Sequence, residues 1–138
     1  MSLSEYISPL VGRFVLAWYF LSQAWLVSHQ WDATVSGMAA RQVPAAPLLL
    51  AIAIVVMVLG ALSLIFGFRA RHGAMLLFAF VLIVSVIMHA FWKDPDAIRA
   101  ADYGLFARDV AIAGGLLMIV GLGPGRFALD NRGQRRRD

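Results

Sequence analysis

Four ionisable side chains, His29, His89, Arg108 and Asp109, sit within or at the ends of stretches that are otherwise apolar. A charged group at the centre of a membrane helix costs roughly 2.5–3.5 kcal/mol on insertion scales, so these positions are where chemistry is to be sought. Histidine and arginine bring hydrogen-bond donors and aspartate brings an acceptor. Together they can hold the polar head of a membrane-soluble ligand, for instance a quinone ring whose tail stays in lipid. They can equally form a lock of paired charges between helices. Two histidines on different helices also raise bis-histidine haem ligation. His29 stands at or beyond a helix end and only one such pair exists, which disfavours haem. The chain has no cysteine, which removes disulfides, thiolate metal sites and iron–sulfur ligation. It also lacks HExxH, GxSxG and any phosphate-binding glycine loop. No metal site and no intrinsic cofactor is expected, and an accessory role fits better than catalysis by this chain alone.

Helices must position these groups. Of the 138 residues, 61% are hydrophobic and 14% charged, against about a quarter charged in soluble domains. The mean hydropathy of +0.77 agrees. Too little polar surface remains to face water, so lipid is the solvent. Four apolar stretches, at about 9–27, 45–68, 73–92 and 103–122, each approach the ~20 residues needed to cross ~30 Å of hydrocarbon. The first lacks a preceding positive region and is long for a signal peptide, so it reads as a retained span. The turn at 69–72 is so short that the second and third stretches must form an antiparallel hairpin. The segment from Ser28 to Pro44 is long enough to lay a short interfacial helix over the bundle mouth. The expected fold is all-α: a single integral-membrane, four-helix antiparallel bundle with a basic tail at 126–138.

Within it, His29, His89, Arg108 and Asp109 reach similar depths on three helices. Sequence neighbours do not face each other on a helix, so Arg108 and Asp109 are each expected to find partners elsewhere, with His89, His29 and Lys93 as candidates. Arg13, about a turn inside the first stretch, is expected to snorkel to lipid phosphate, with a buried pairing role as the alternative. In the fourth stretch Ala107, Ala111 and Gly115 recur every fourth residue, with Gly114 beside them. Such spacing permits close helix approach where lipid supplies no hydrophobic drive, either within the bundle or against a second copy or another subunit.

The net charge of +4 is uneven. Arg69, Arg71 and the five arginines after Pro124 make seven basic residues on one side; Arg41, Lys93 and Arg99 make three on the other. The side with seven is cytoplasmic by the positive-inside rule, so both termini are inside. Trp25, Trp31, Trp92 and Tyr103 would form an aromatic belt at the outer interface. The basic tail reads as a contact for anionic lipid headgroups rather than nucleic acid, for which no recognition motif is present.

Phe106, Arg108 and Asp109 followed by an alanine- and glycine-rich helix through Gly115, the closing Gly123, Pro124, Gly125 and Asp130, and His89 with Trp92 together resemble the DoxX family of small four-helix membrane proteins. So does the glycine-spaced run from Gly60 through Gly67 to Arg69. The resemblance implies a bacterial inner-membrane location and a small subunit or anchor of a quinone-linked oxidoreductase complex. A stand-alone binder or transporter of a small lipophilic molecule, or a purely structural membrane protein, are the alternatives. On residues alone, the stretch from Gly121 to Gly125 is a helix stop.

Orientation has a direct check. Reporter fusions after Gly73 or at the C-terminus are expected to read cytoplasmic, and a fusion at Gly37 external; the reverse pattern would invert the assignment.

Overall fold

A span crossing hydrocarbon must satisfy its backbone polar groups internally, and the apolar stretches do so as helices. The computed structural model describes residues 2–131. Its elements are α1 (Leu3–His29), α2 (Trp31–Ala40), α3 (Ala46–Phe66), α4 (Ala70–Met88) and α5 (Asp96–Leu122), with 3-10 turns at Phe91–Lys93 and Leu129–Asn131. No strand occurs among the described residues. Helices α1, α3, α4 and α5 are long and apolar enough to cross a membrane, and the expected helical membrane bundle is what forms. The short helix expected after the first span is α2.

The boundaries differ from those read off hydropathy. Helix α1 starts at Leu3 and continues through Pro9. Helix α4 ends at Met88, short of the expected Trp92. Helix α5 begins at Asp96, ahead of Tyr103, because Pro95 has the extended geometry of an N-cap and Asp96 places an acid in the first turn. Hydropathy cannot see that polar first turn.

The helices form two pairs, α1 with α3 and α4 with α5, joined along α3 and α4, while α1 and α5 scarcely touch. At the end bearing the α3–α4 turn the halves meet tightly. A Cβ at Gly60 would lie 2.5 Å from Leu77 Cγ, and one at Gly73 would collide with Ser63 Oγ, so α3 and α4 approach as glycine allows. Between the pairs runs the core, including Ala17, Phe20, Ala61, Leu64, Leu77 and Leu116.

The glycine–proline–glycine segment after α5 has a definite job at this end. Gly123 and Gly125 adopt positive φ and turn the chain back beneath the bundle. Ala128 is fully buried against Gly67. The Asp130 carboxylate accepts hydrogen bonds from the backbone N–H of Arg69 (2.6 Å) and Ala70 (2.9 Å), capping α4 from sixty residues away. Its own N–H donates to Gly67 O at 3.0 Å, satisfying the end of α3. Phe127 packs near Tyr6, and Arg126 donates to the Tyr6 hydroxyl, tying the segment to α1.

Arg13 belongs to this lock and does not reach toward lipid. It is 1% exposed beside Gly67, with Asp130 the carboxylate whose charge acts on it, and its Nε and Nη1 make no hydrogen bond. The early start of α1 sets Arg13 ten residues into the helix, roughly 15 Å, beyond easy snorkelling from that end.

Most of the small residues of α5 do not pack within the bundle. Its buried face is Asp109, Ala113, Leu116 and Ile119. Ala107, Ala111 and Gly114 lie on the exposed side, and a Cβ at Gly114 would meet nothing within 4 Å. Gly115 alone faces α1, with Leu16 3.9 Å from a Cβ placed there.

These two glycines separate in a stability assay. Gly67 has φ +64° and a Cβ there would come within 2.6 Å of the Ala128 backbone. Gly67→Ala is expected to lower unfolding free energy in mild detergent by about 2–4 kcal/mol, from backbone strain and overpacking. Gly114→Ala is expected to change it by less than about 1 kcal/mol.

Candidate functional site

At the opposite end the two helix pairs part. The space between them is a cavity of about 530 Å³, walled by α1, α3 and α4 and approached by Thr34 and Met38 of α2. Its lining is overwhelmingly apolar: Phe20, Leu50, Val56, Met57, Phe80, Val84 and Met88 among others. Tyr19, Gln23, His89, Arg108 and Asp109 add the polar groups. The size falls within the ~300–1,000 Å³ typical of small-molecule sites, and so does the pattern of an apolar wall with few convergent polar groups. Leu49, Ile52, Ile83 and Ile87 line it while remaining exposed, which opens it sideways between α3 and α4 in the halves remote from their turn. A shallower depression of about 480 Å³ lies at the α3–α4 turn, where Arg69 and His72 head an open apolar groove.

Asp109 is the buried centre of the polar end, 5% exposed. Arg108 donates from Nε (3.1 Å) and Nη2 (3.0 Å) to the same oxygen, Asp109 Oδ1. The two sequence neighbours therefore pair with each other, contrary to the expectation from helix geometry. Their Cβ atoms diverge, but the long arginine stem folds back far enough to bring the guanidinium round. The Arg108 guanidinium also lies 5.7 Å from the Tyr19 ring centroid, one of the few links between α5 and α1.

His89 stands between two acids. Its Nε2 is 3.9 Å from Asp109 Oδ2 and its Nδ1 3.9 Å from Asp102 Oδ1, both beyond hydrogen-bond length. Nδ1 is buried and has no hydrogen-bond partner, as is Ser85 Oγ one turn earlier. Asp102 in turn accepts from Arg41 Nη2 at 3.2 Å, which ties the end of α2 to α5. The nearness of the Asp102 carboxylate, then burial, pushes the Asp94 carboxyl above the usual carboxylate range.

Of the expected cluster, the structure brings together His89, Arg108 and Asp109. His29 stays out: it is exposed, its ring lies 3.9 Å from that of Trp25, and its Nδ1 is 3.0 Å from Trp25 O. Lys93 is exposed on the 3-10 turn. Asp102, Arg41 and Tyr19 are members that sequence reasoning missed. The signal for Asp102 is its spacing of seven from Asp109, two turns along one face, visible only once α5 is started at Asp96. No group of three or more metal-binding side chains occurs among the described residues.

A match to the SURF4 family covers residues 48–136. The chain belongs to the SURF4 family. This SURF4-family protein is 30% identical over 123 residues to inner membrane protein YphA of Escherichia coli (strain K12), covering 89% of this chain and 88% of that protein. It is 25% identical over 126 residues to inner membrane protein YqjF of the same organism, covering 91% and 92%. Against the Surfeit locus protein 4 homolog of Schizosaccharomyces pombe, 31% identity extends over 70 residues, or 49% of this chain and 23% of that protein. No solved structure matches it. With its four spans, the SURF4-family chain is a multi-pass inner-membrane protein in contact with the bilayer.

The SURF4 assignment overturns the DoxX resemblance. The expected role as a subunit of a quinone-linked oxidoreductase came with that resemblance and falls with it. The motifs that suggested DoxX are short glycine, alanine and arginine patterns, which close helix packing and tight turns demand in many membrane proteins. Most of them lie inside the region the SURF4 match covers.

The Arg108–Asp109 pair gives a double-mutant test. Arg108→Gln is expected to destabilise the protein in mild detergent by about 2–3 kcal/mol, below the full cost of an orphaned buried charge because Arg108 is 42% exposed. Adding Asp109→Asn is expected to recover part of that loss; strictly additive losses would show that the pair is not coupled.

Proposed function

We propose that this SURF4-family protein binds a small amphipathic molecule within the membrane, tail in the cavity between the helix pairs and polar head against Asp109 and His89. The observation that carries the reading is the cavity of about 530 Å³, apolar along its length and ended by a buried carboxylate. A purely structural lock would close around its charges. Here the walls part instead, and His89 is left 3.9 Å from each acid beside it.

Two further features support the reading. The exposed lining residues of α3 and α4 give a lateral entrance from the hydrocarbon, so a lipophilic ligand can enter without crossing water. The opposite end is fastened by Asp130 and Ala128, so the helix pairs diverge from a fixed joint. By the charge asymmetry the fastened end, carrying Arg69, Arg71 and Arg126, is the cytoplasmic one, and the cavity opens in the outer half of the bilayer. Arg132, Arg135, Arg136 and Arg137, which strengthen that asymmetry, lie outside the described residues.

Filling the cavity tests the reading. Ala53→Trp places an indole from α3 into the lined space. It is expected to abolish binding of a fluorescent lipophilic probe to the purified protein in nanodiscs while leaving its helical circular dichroism intact. Undiminished probe binding by a folded Ala53→Trp protein would overturn the assignment.

A further inference from the structure

Resting on the cavity reading, we propose that the site selects a neutral amphiphile with a hydroxyl head, seated between Asp109 Oδ2 and His89 Nε2. The argument begins with which atoms are already used. Both Arg108 donors go to Asp109 Oδ1, which leaves Oδ2 as the acceptor facing the histidine. His89 Nε2 lies 3.9 Å away, too far for a direct bond. An oxygen placed beside that gap reaches both atoms at ordinary hydrogen-bond length. A hydroxyl suits it because one atom both donates and accepts: it donates to the carboxylate and accepts from the Nε2–H tautomer.

Charge decides against the other heads. Asp109 is matched by Arg108 and Asp102 by Arg41, each through a direct ion pair. The remaining acid, Asp94, is not part of the cavity lining, and Arg41 and Arg99 are the cations whose charge acts on it. At the end of the cavity the one ion pair, Arg108 with Asp109, is balanced as it stands. A carboxylate or phosphate head would approach the open oxygen of Asp109 and add an unmatched negative charge. An ammonium head would add an unmatched positive charge beside two guanidinium groups. Either leaves a net charge at the end of an apolar cavity, where desolvation is least compensated. A hydroxyl fills the gap without altering the balance. The apolar walls then take a single chain or a small ring system, which is the chemistry of a long-chain alcohol or a sterol-like lipid.

The test uses the full-length protein in nanodiscs at neutral pH, titrated with three fluorescent probes of identical chain: an alcohol, a carboxylic acid and an amine. The alcohol is expected to bind roughly tenfold more tightly than either charged probe. An acid or amine binding as tightly as the alcohol would overturn the hydroxyl assignment while leaving the cavity reading in place. Binding of none of the three would overturn the cavity reading itself. His89→Phe, which keeps an aromatic ring but removes the donor, is expected to weaken the alcohol roughly tenfold and leave the charged probes unchanged. A His89→Phe protein with undiminished alcohol affinity would remove the histidine from the seat.

Discussion

A carboxylate as buried as Asp109 has to be neutralised, and much of the wide end of this protein follows from that demand. Water is scarce there, so the compensating charge must come from the chain. Arg108 supplies it from the next position, and in doing so its guanidinium is drawn over Tyr19. One ion pair thus also becomes a bridge between the helix pairs, at a level where α1 and α5 otherwise hardly meet. His89 and Asp102 extend the polar set across α4 and α5, and Arg41 carries it to α2. The cluster occupies the wide end of the bundle because apolar packing alone does not close that end.

The two ends therefore obey different physics. At one, glycines bring α3 and α4 into near backbone contact, and a returning segment fills what remains. Arg13 is shut inside with Gly67 and Ala128. At the other, contact between the pairs is electrostatic and sparse, and the apolar surfaces of α3 and α4 face a cavity. A bundle so built has a fixed joint and a free margin.

Much of this was legible in the residues. Hydropathy located the four spans, and the tight turn dictated the α3–α4 hairpin. His89, Arg108 and Asp109 stood out because charge in an apolar stretch demands a reason. What escaped was whatever depends on direction or on distant partners. The stripe of Ala107, Ala111 and Gly114 has the right period for packing, yet period alone does not say which neighbour it faces. Asp102 was hidden because the polar first turn of α5 lowers hydropathy just where the helix begins. Asp130 looked like part of a short motif; its role as a cap for α4 depends on a contact sixty residues back. The family itself was misjudged for a related reason. Short small-residue motifs record packing constraints shared across many membrane helices, whereas the longer match over residues 48–136 records descent.

The distance between α4 and its cap also has a meaning in time. A membrane protein is threaded into the bilayer from its N-terminus, so the α3–α4 hairpin is delivered well before residue 130 has been synthesised. Throughout that interval the first amides of α4 lack the carboxylate that closes them, and Gly67 lacks its donor. The last described turn of the chain therefore serves as a completion mark. Until it docks, the turn between α3 and α4 keeps those backbone groups unclosed, and the hairpin is finished only when the chain returns to it.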